Sequence, residues 1–148
     1  MITNRRYFLE AGTVAAAGLL AAARSGEAAE WTPTEKANVQ VVNDFCAAWV
    51  TGDVAKIVSY MAEDALFRQG ATMFNGRQAS VDRITKVFAQ YPKIEFEVVE
   101  TFARGPIVFN ERKDWLDQPG QPRRLIHLVG VFVVRNGKIA EWTDYGLS

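Results

Sequence analysis

One cysteine and one histidine in 148 residues remove several kinds of chemistry at once. A lone thiol forms no intramolecular disulfide and rules out a Cys-rich zinc site. A single imidazole leaves too few good ligands for a His-based metal centre. Net charge is missing too. With 17 Lys and Arg against 17 Asp and Glu, the chain lacks the basic face a nucleic-acid binder needs to neutralise phosphates. No apolar run reaches the roughly 20 residues of a bilayer-spanning helix. What is there is 49% hydrophobic and 23% charged, the balance of a folded globular chain and long enough for one domain. The expected chemistry therefore uses carboxylates, arginine and hydroxyls, with no metal and no cofactor.

The first 29 residues differ from the rest. Arg5-Arg6-Tyr7-Phe8-Leu9 precedes Ala11–Ala23, a run of small and apolar residues, and then an Ala-rich stretch from Arg24 to Ala29. This order of charged, apolar and small residues marks an export signal, and the paired arginines resemble the twin-arginine type. Residues 1–29 are thus expected to be a cleaved signal peptide that sends the domain at 30–148 to the periplasm or outside the cell. Cleavage after Ala23, Ala28 or Ala29 fits equally, and N-terminal sequencing of exported protein would decide. From Glu30 onward 14 basic and 15 acidic residues remain, so the mature chain is also near neutral.

Helices come first. Thr32-Pro33-Thr34-Glu35 is a helix start, with a Thr cap, Pro in the first turn and Glu three residues on. Val42, Phe45, Cys46 and Trp49 then share one face, which makes Cys46 a packed thiol rather than a nucleophile, and Gly52 ends the helix. Asp53 caps a second, shorter helix with Val54, Ile57, Val58 and Met61 inward. A third is expected from about Gln78 to Tyr91, stopped by Pro92.

From Lys93 the period becomes two. Ile94–Ala103, Ile107–Leu116, Arg123–Val134 and Lys138–Tyr145 read as four strands, with a short fifth at Ala65–Gln69 between the second and third helices. The fold class is α+β, with three N-terminal helices packed on one face of a curved sheet. Arg112 and Asp114 are two apart on a strand and share a face with Val108, Asn110 and Leu116. His127 alternates with Ile126 and Leu128 and should point away from them. The four tryptophans are most simply packing residues, with Trp115 placed for a contact on the opposite face. An antiparallel sheet with apolar groups on both faces needs a second cover, so a homodimer through the outer face is expected. Asp144 joins the Arg112 face only in the right hairpin register. A three-residue loop, Arg135-Asn136-Gly137, would set Asp144 opposite Leu128 and is the register expected. A two-residue Asn136-Gly137 turn would place it opposite Val129 on the other face.

Phe45-Cys46-Ala47-Ala48-Trp49, Ala62-Glu63-Asp64-Ala65 and Asn75-Gly76-Arg77 resemble the cone-shaped nuclear-transport-factor-like, or SnoaL-like, superfamily. That group includes ketosteroid isomerases, polyketide cyclases and limonene-1,2-epoxide hydrolases. Arg112-Lys113-Asp114 and Trp142-Thr143-Asp144-Tyr145 are similar to the epoxide hydrolase branch. The resemblance implies a cone-shaped, antiparallel or mixed sheet and hydrolysis of a small hydrophobic epoxide. It makes Asp144 the base on water, Asp114 the acid to the epoxide oxygen and Arg112 the bridge. It also places Phe67 and Gln69 where the hydrolases hold water with Tyr and Asn, and expects Ile94, Phe96, Leu116, Ile126 and Leu128 to wall the pocket.

Phe67 lacks the hydroxyl, Gln69 is one methylene longer, and the chain ends at Ser148 before the segment that closes the family's pocket. Weaker, altered or lost catalysis is expected from these departures. Gln69 also stands near the place of the isomerases' basic Asp and takes no proton from carbon, which argues against steroid isomerisation. By themselves the residues fit two readings, a partly buried salt-bridge network or a catalytic site. With both acids ionised the trio carries one negative charge, and burial favours the state with one proton shared. A non-catalytic binder of small apolar molecules and a polyketide-cyclase-like enzyme are the competing functions.

Overall fold

The computed structural model describes residues 30–147. The expected export signal lies outside them. Thr32 caps α1 (Pro33–Ala48) through a capping box with Glu35, and the other Glu35 oxygen accepts the Gly105 N–H at 2.7 Å. One carboxylate thus starts the helix and pins it to the sheet. A 3-10 turn, Trp49–Thr51, follows. Asp53 caps α2 (Val54–Ser59), and α3 spans Arg77–Gln90.

Six strands form one sheet: β1 (Met61–Gln69), β2 (Thr72–Asn75), β3 (Lys93–Arg104), β4 (Ile107–Asp117), β5 (Arg124–Arg135) and β6 (Lys138–Gly146). Their order across the sheet is β2-β1-β6-β5-β4-β3. All neighbours are antiparallel except β1 and β6, which run parallel, so the sheet is mixed and open. The three helices lie against this curved sheet, the expected cone of the α+β class. Val42, Phe45, Ile57, Met61, Ile84, Phe132 and Trp142 fill the core between them. Among the described residues no helix is long and apolar enough to cross a membrane.

Three expectations need correction. The short strand starts at Met61 rather than Ala65, and Met61 is therefore a strand residue instead of the last buried position of α2. Its hairpin partner β2 was not foreseen, because four largely exposed residues carry no apolar alternation. The β5–β6 connection is the third. Arg135 pairs with Lys138, so Asn136 (φ 51°) and Gly137 (φ 70°) form a two-residue turn. Positive φ at both central positions is what Asn-Gly supplies at least cost. By itself this turn would send Asp144 to the outer face.

A bulge reverses that outcome. Val134 pairs with Ile139 but Val133 with Glu141, leaving Ala140 unpaired, and Ile139 and Ala140 are both buried. An extra residue in one strand shifts everything beyond it by one. Trp142 consequently faces inward opposite Phe132, and Asp144 opposite Gly130 rather than the expected Leu128. Gly130 and Leu128 share a face, so Asp144 still arrives on the Arg112 side.

Candidate active site

The residues of the concave face are laid out by strand pairing. On β4, Asn110, Arg112, Asp114 and Leu116 are buried at alternate positions. Arg112 pairs with Leu128, Asp114 with Ile126 and Asn110 with Gly130. Because Gly130 also pairs with Asp144, Asn110, Gly130 and Asp144 form a row across three strands. The middle of that row has no side chain, and the Arg112 guanidinium lies there. A Cβ at Gly130 would overlap Arg112 Nη1 and come within 2.8 Å of Asn110 Oδ1.

Arg112 is fully buried and every edge of its fork is used. Nε donates to Asp114 Oδ1 at 2.8 Å, Nη1 to Asn110 Oδ1 at 3.2 Å and Nη2 to Asp144 Oδ1 at 2.7 Å. The Phe96 ring stacks 4.5 Å from the guanidinium carbon. Trp142 Nε1 donates to the same Asp144 Oδ1 at 2.7 Å, leaving Oδ2 without a protein donor among the described residues. Asn110 is held in turn by a bond from Nδ2 to Cys46 Sγ at 3.3 Å. Burial pushes the Cys46 thiol up to about 11, consistent with a packed, un-ionised group.

Burial also raises both carboxyls. Asp114 moves from 3.8 to about 6, burial outweighing the opposing pull of Arg112. Asp144 is raised by burial as well, against Arg112 and the Trp142 hydrogen bond. Burial works against the charge on Arg112, but Asp144 and Asp114 more than restore it. One proton on the pair makes the trio neutral. Asp144 Oδ1 receives two short donors, which favour its charged form, so the proton belongs on Asp114.

A cavity of about 200 Å³ opens beside the trio. Asp114 and Asp144 reach it, as do all five expected wall residues, Ile94, Phe96, Leu116, Ile126 and Leu128. Helix α3 adds Ile84 and Val87. Trp49 and Trp142 also line it, so two tryptophans read as packing residues are cavity wall. Trp142 stacks on Phe67 at 4.0 Å, and Phe67 is itself part of the wall. Gln69, Cα partner of Asp144, stands at the cavity, with Oε1 accepting from Arg83 Nε and Nη2 at 2.8 and 2.6 Å. Its NH₂ is thereby the end left for a ligand or water. His127 lies on the outer face, 2.7 Å from Glu111. Among the described residues no group of three or more His, Cys, Asp or Glu is placed to hold a metal ion.

Sequence reasoning missed the roles of Gly130, Asn110 and the Trp142 indole. The signal for Trp142 was its spacing of two from Asp144, which puts an N–H donor and a carboxylate on the same face.

Residues 42–142 match the SnoaL-like domain family. The match covers more than half of the chain, which therefore belongs to that family. An LEH-like epoxide hydrolase of M. tuberculosis superposes with a TM-score of 0.70 at 23% identity, over 78% of this chain and 86% of that one. A Jannaschia sp. CCS1 protein described as a SnoaL-like polyketide cyclase gives 0.68 at 16%, over 79% and 90%. A Catenulispora acidiphila DSM 44928 protein with a ketosteroid isomerase-like fold, in complex with trimethylamine, gives 0.67 at 17%, over 72% and 84%. At these identities the likeness is one of fold.

Two predictions follow from the geometry. Gly130→Ala puts a methyl where the guanidinium lies, and overpacking of this kind costs about 1–3 kcal/mol. Urea denaturation should show that loss, while a change below about 0.5 kcal/mol would mean the guanidinium is not seated there. The second concerns pH. Asp114 holds its proton to about 6 folded but to its ordinary 3.8 unfolded. Its stability contribution is therefore complete below the lower value and lost as pH rises through the upper one. The Tm of the native chain relative to Asp114→Asn should fall between those limits and level above; a difference that rises with pH would reverse the assignment.

Proposed function

We propose that this SnoaL-like domain adds water to a small hydrophobic epoxide, with Asp144 as base, Asp114 as acid and Arg112 joining them. The observation that carries the reading is a fully buried guanidinium between two carboxyls that both reach an apolar cavity. A salt bridge built for stability alone gains nothing from opening onto such a cavity, since replacing buried ion pairs by apolar residues is often neutral or stabilising.

The steps balance with the groups present. Asp144, through Oδ2, takes a proton from water as the water oxygen attacks a ring carbon. The carbon–oxygen bond on the far side breaks, and the departing oxygen takes the proton of Asp114. The product is a diol. One proton has passed on to Asp144 and one has left Asp114, so the trio is still neutral. It resets by proton exchange through the cavity mouth. The Gln69 amide, next to Asp144, is placed to donate a hydrogen bond to the water. Phe67 offers it none, and its ring supports Trp142 instead. The acid–guanidinium–acid trio favours this chemistry because it supplies the acid and base that ring opening needs, and an epoxide hydrolase is among the proteins that share the fold.

Asp144→Asn and Asp114→Asn should each lower diol formation on the order of 10²–10⁴-fold, the scale of one general acid or base. The double variant should be little worse than either single one, because the two act as a unit. Arg112→Lys should also be damaging, since an ammonium does not bridge two carboxylates as a planar fork does. Diol formation from limonene oxide and related cyclic epoxides is the assay. No turnover across a broad panel, with tight binding of an apolar ligand, would transfer the case to a non-catalytic binding protein.

A homodimer through the outer face belongs to the same proposal. Phe109 and Leu125 are exposed on that face, beside Trp115 and the His127–Glu111 pair. Sedimentation at micromolar concentration should give twice the chain mass, and a monomer would refute it.

A further inference from the structure

The cavity, at about 200 Å³, is smaller than the roughly 300–1,000 Å³ of most small-molecule sites. A ligand larger than one compact apolar group must extend through the mouth. Two arginines lie next to residues of the cavity wall, the second of them lining an adjoining pocket with Tyr91 and Leu116. Arg83 lies on α3 one turn before the wall residue Val87 and is tied to Gln69, a cavity residue, through Nε and Nη2. Its Nη1 makes no hydrogen bond among the described residues. Arg124 lies on the cavity-facing side of β5, two residues before the wall residue Ile126. It is the Cα partner of the wall residue Leu116, with Nη1 3.4 Å from Tyr91 Oη.

Neither arginine has a carboxylate within ion-pair distance among the described residues. The contrast with Arg123 is direct. That residue, one position away and on the other face, pairs with both Glu95 and Asp117. The buried trio is neutral when it holds one proton, and in that state it adds no negative charge beside the two arginines. The Nε edge of Arg83 is taken by Gln69, which leaves its outer edge for a planar group with two oxygens.

We propose that the natural ligand is amphipathic, with a compact apolar head in the cavity and a carboxylate tail at the mouth, held by Arg83 and drawn in by Arg124. That the head is an epoxide rests on the hydrolase reading; the carboxylate does not. The apolar wall and the two arginines then divide the work, the first setting the depth of the head and the second its direction.

Calorimetric titration of the full chain with octanoate and with octanamide at low salt separates charge from shape, since the two differ little in size. Octanoate should bind about tenfold more tightly, the scale of one charge-assisted contact, and added salt should narrow the gap. Arg83→Gln should remove most of the preference and the Arg83→Gln/Arg124→Gln pair all of it, the loss falling on octanoate while octanamide affinity changes far less in both. Equal binding of the two ligands, no binding of either, or a preference that survives the double variant would overturn the proposal. Turnover separates the two claims. Neutral epoxides opened as fast as acid-tailed ones would count against the tail and leave the hydrolase standing. An octanoate preference lost with the arginines, in a protein that opens no epoxide, would keep the tail and remove the hydrolase.

Discussion

A guanidinium with no exposed surface sets the terms for everything around it. Burying a cation without partners costs several kcal/mol at least, so the structure must satisfy Arg112 completely. Three neighbours do so, Asp114 from the same strand, Asn110 from the same strand and Asp144 from two strands away. The space they enclose exists only because Gly130 contributes no side chain to the row between Asn110 and Asp144. The Ala140 bulge serves the same cation. Without it the tight Asn136-Gly137 turn would carry Asp144 to the outer face, and the cation would lose its second carboxylate.

Meeting the cation's needs creates a new demand. Two carboxylates answer one positive charge, and the excess must be removed in a site walled by Trp49, Phe67, Phe96 and Trp142. A proton does this. The result is one acid and one base beside an apolar cavity, which is the pairing that ring opening by water calls for. The Trp142 indole sharpens the division by donating to the Asp144 oxygen that Arg112 already holds. The other oxygen is left for a ligand. Charge balance in the core and the proposed acid–base function rest on the same arrangement.

Much of this was legible in the sequence because it follows from local periodicity. Thr32-Pro33 and Glu35 announced α1, and the alternation on β4 put Arg112, Asp114 and Leu116 on one face. The same rule placed His127 outward and Ile126 and Leu128 inward. The β6 register was not legible. Asn136-Gly137 is itself a two-residue turn signal, and the compensating bulge arises from packing of Ile139 and Ala140 together into the core, a contact made across the fold. Gly130 was equally silent, since a glycine in a strand has many causes and this one is the side chain of a residue on the next strand. The arginines beside the cavity wall were not legible either, because Arg83 on α3 and Arg124 on β5 meet wall residues only through contacts made across the fold.

The account turns on one proton shared by Asp114 and Asp144. Carbon-13 NMR of the aspartate side-chain carboxyls, titrated and assigned through the Asp114→Asn and Asp144→Asn variants, observes it directly. The account predicts that Asp114 stays protonated until about pH 6 while Asp144, beside it, is already ionised. Both carboxyls fully ionised at about pH 5, as ordinary aspartates are, would contradict it.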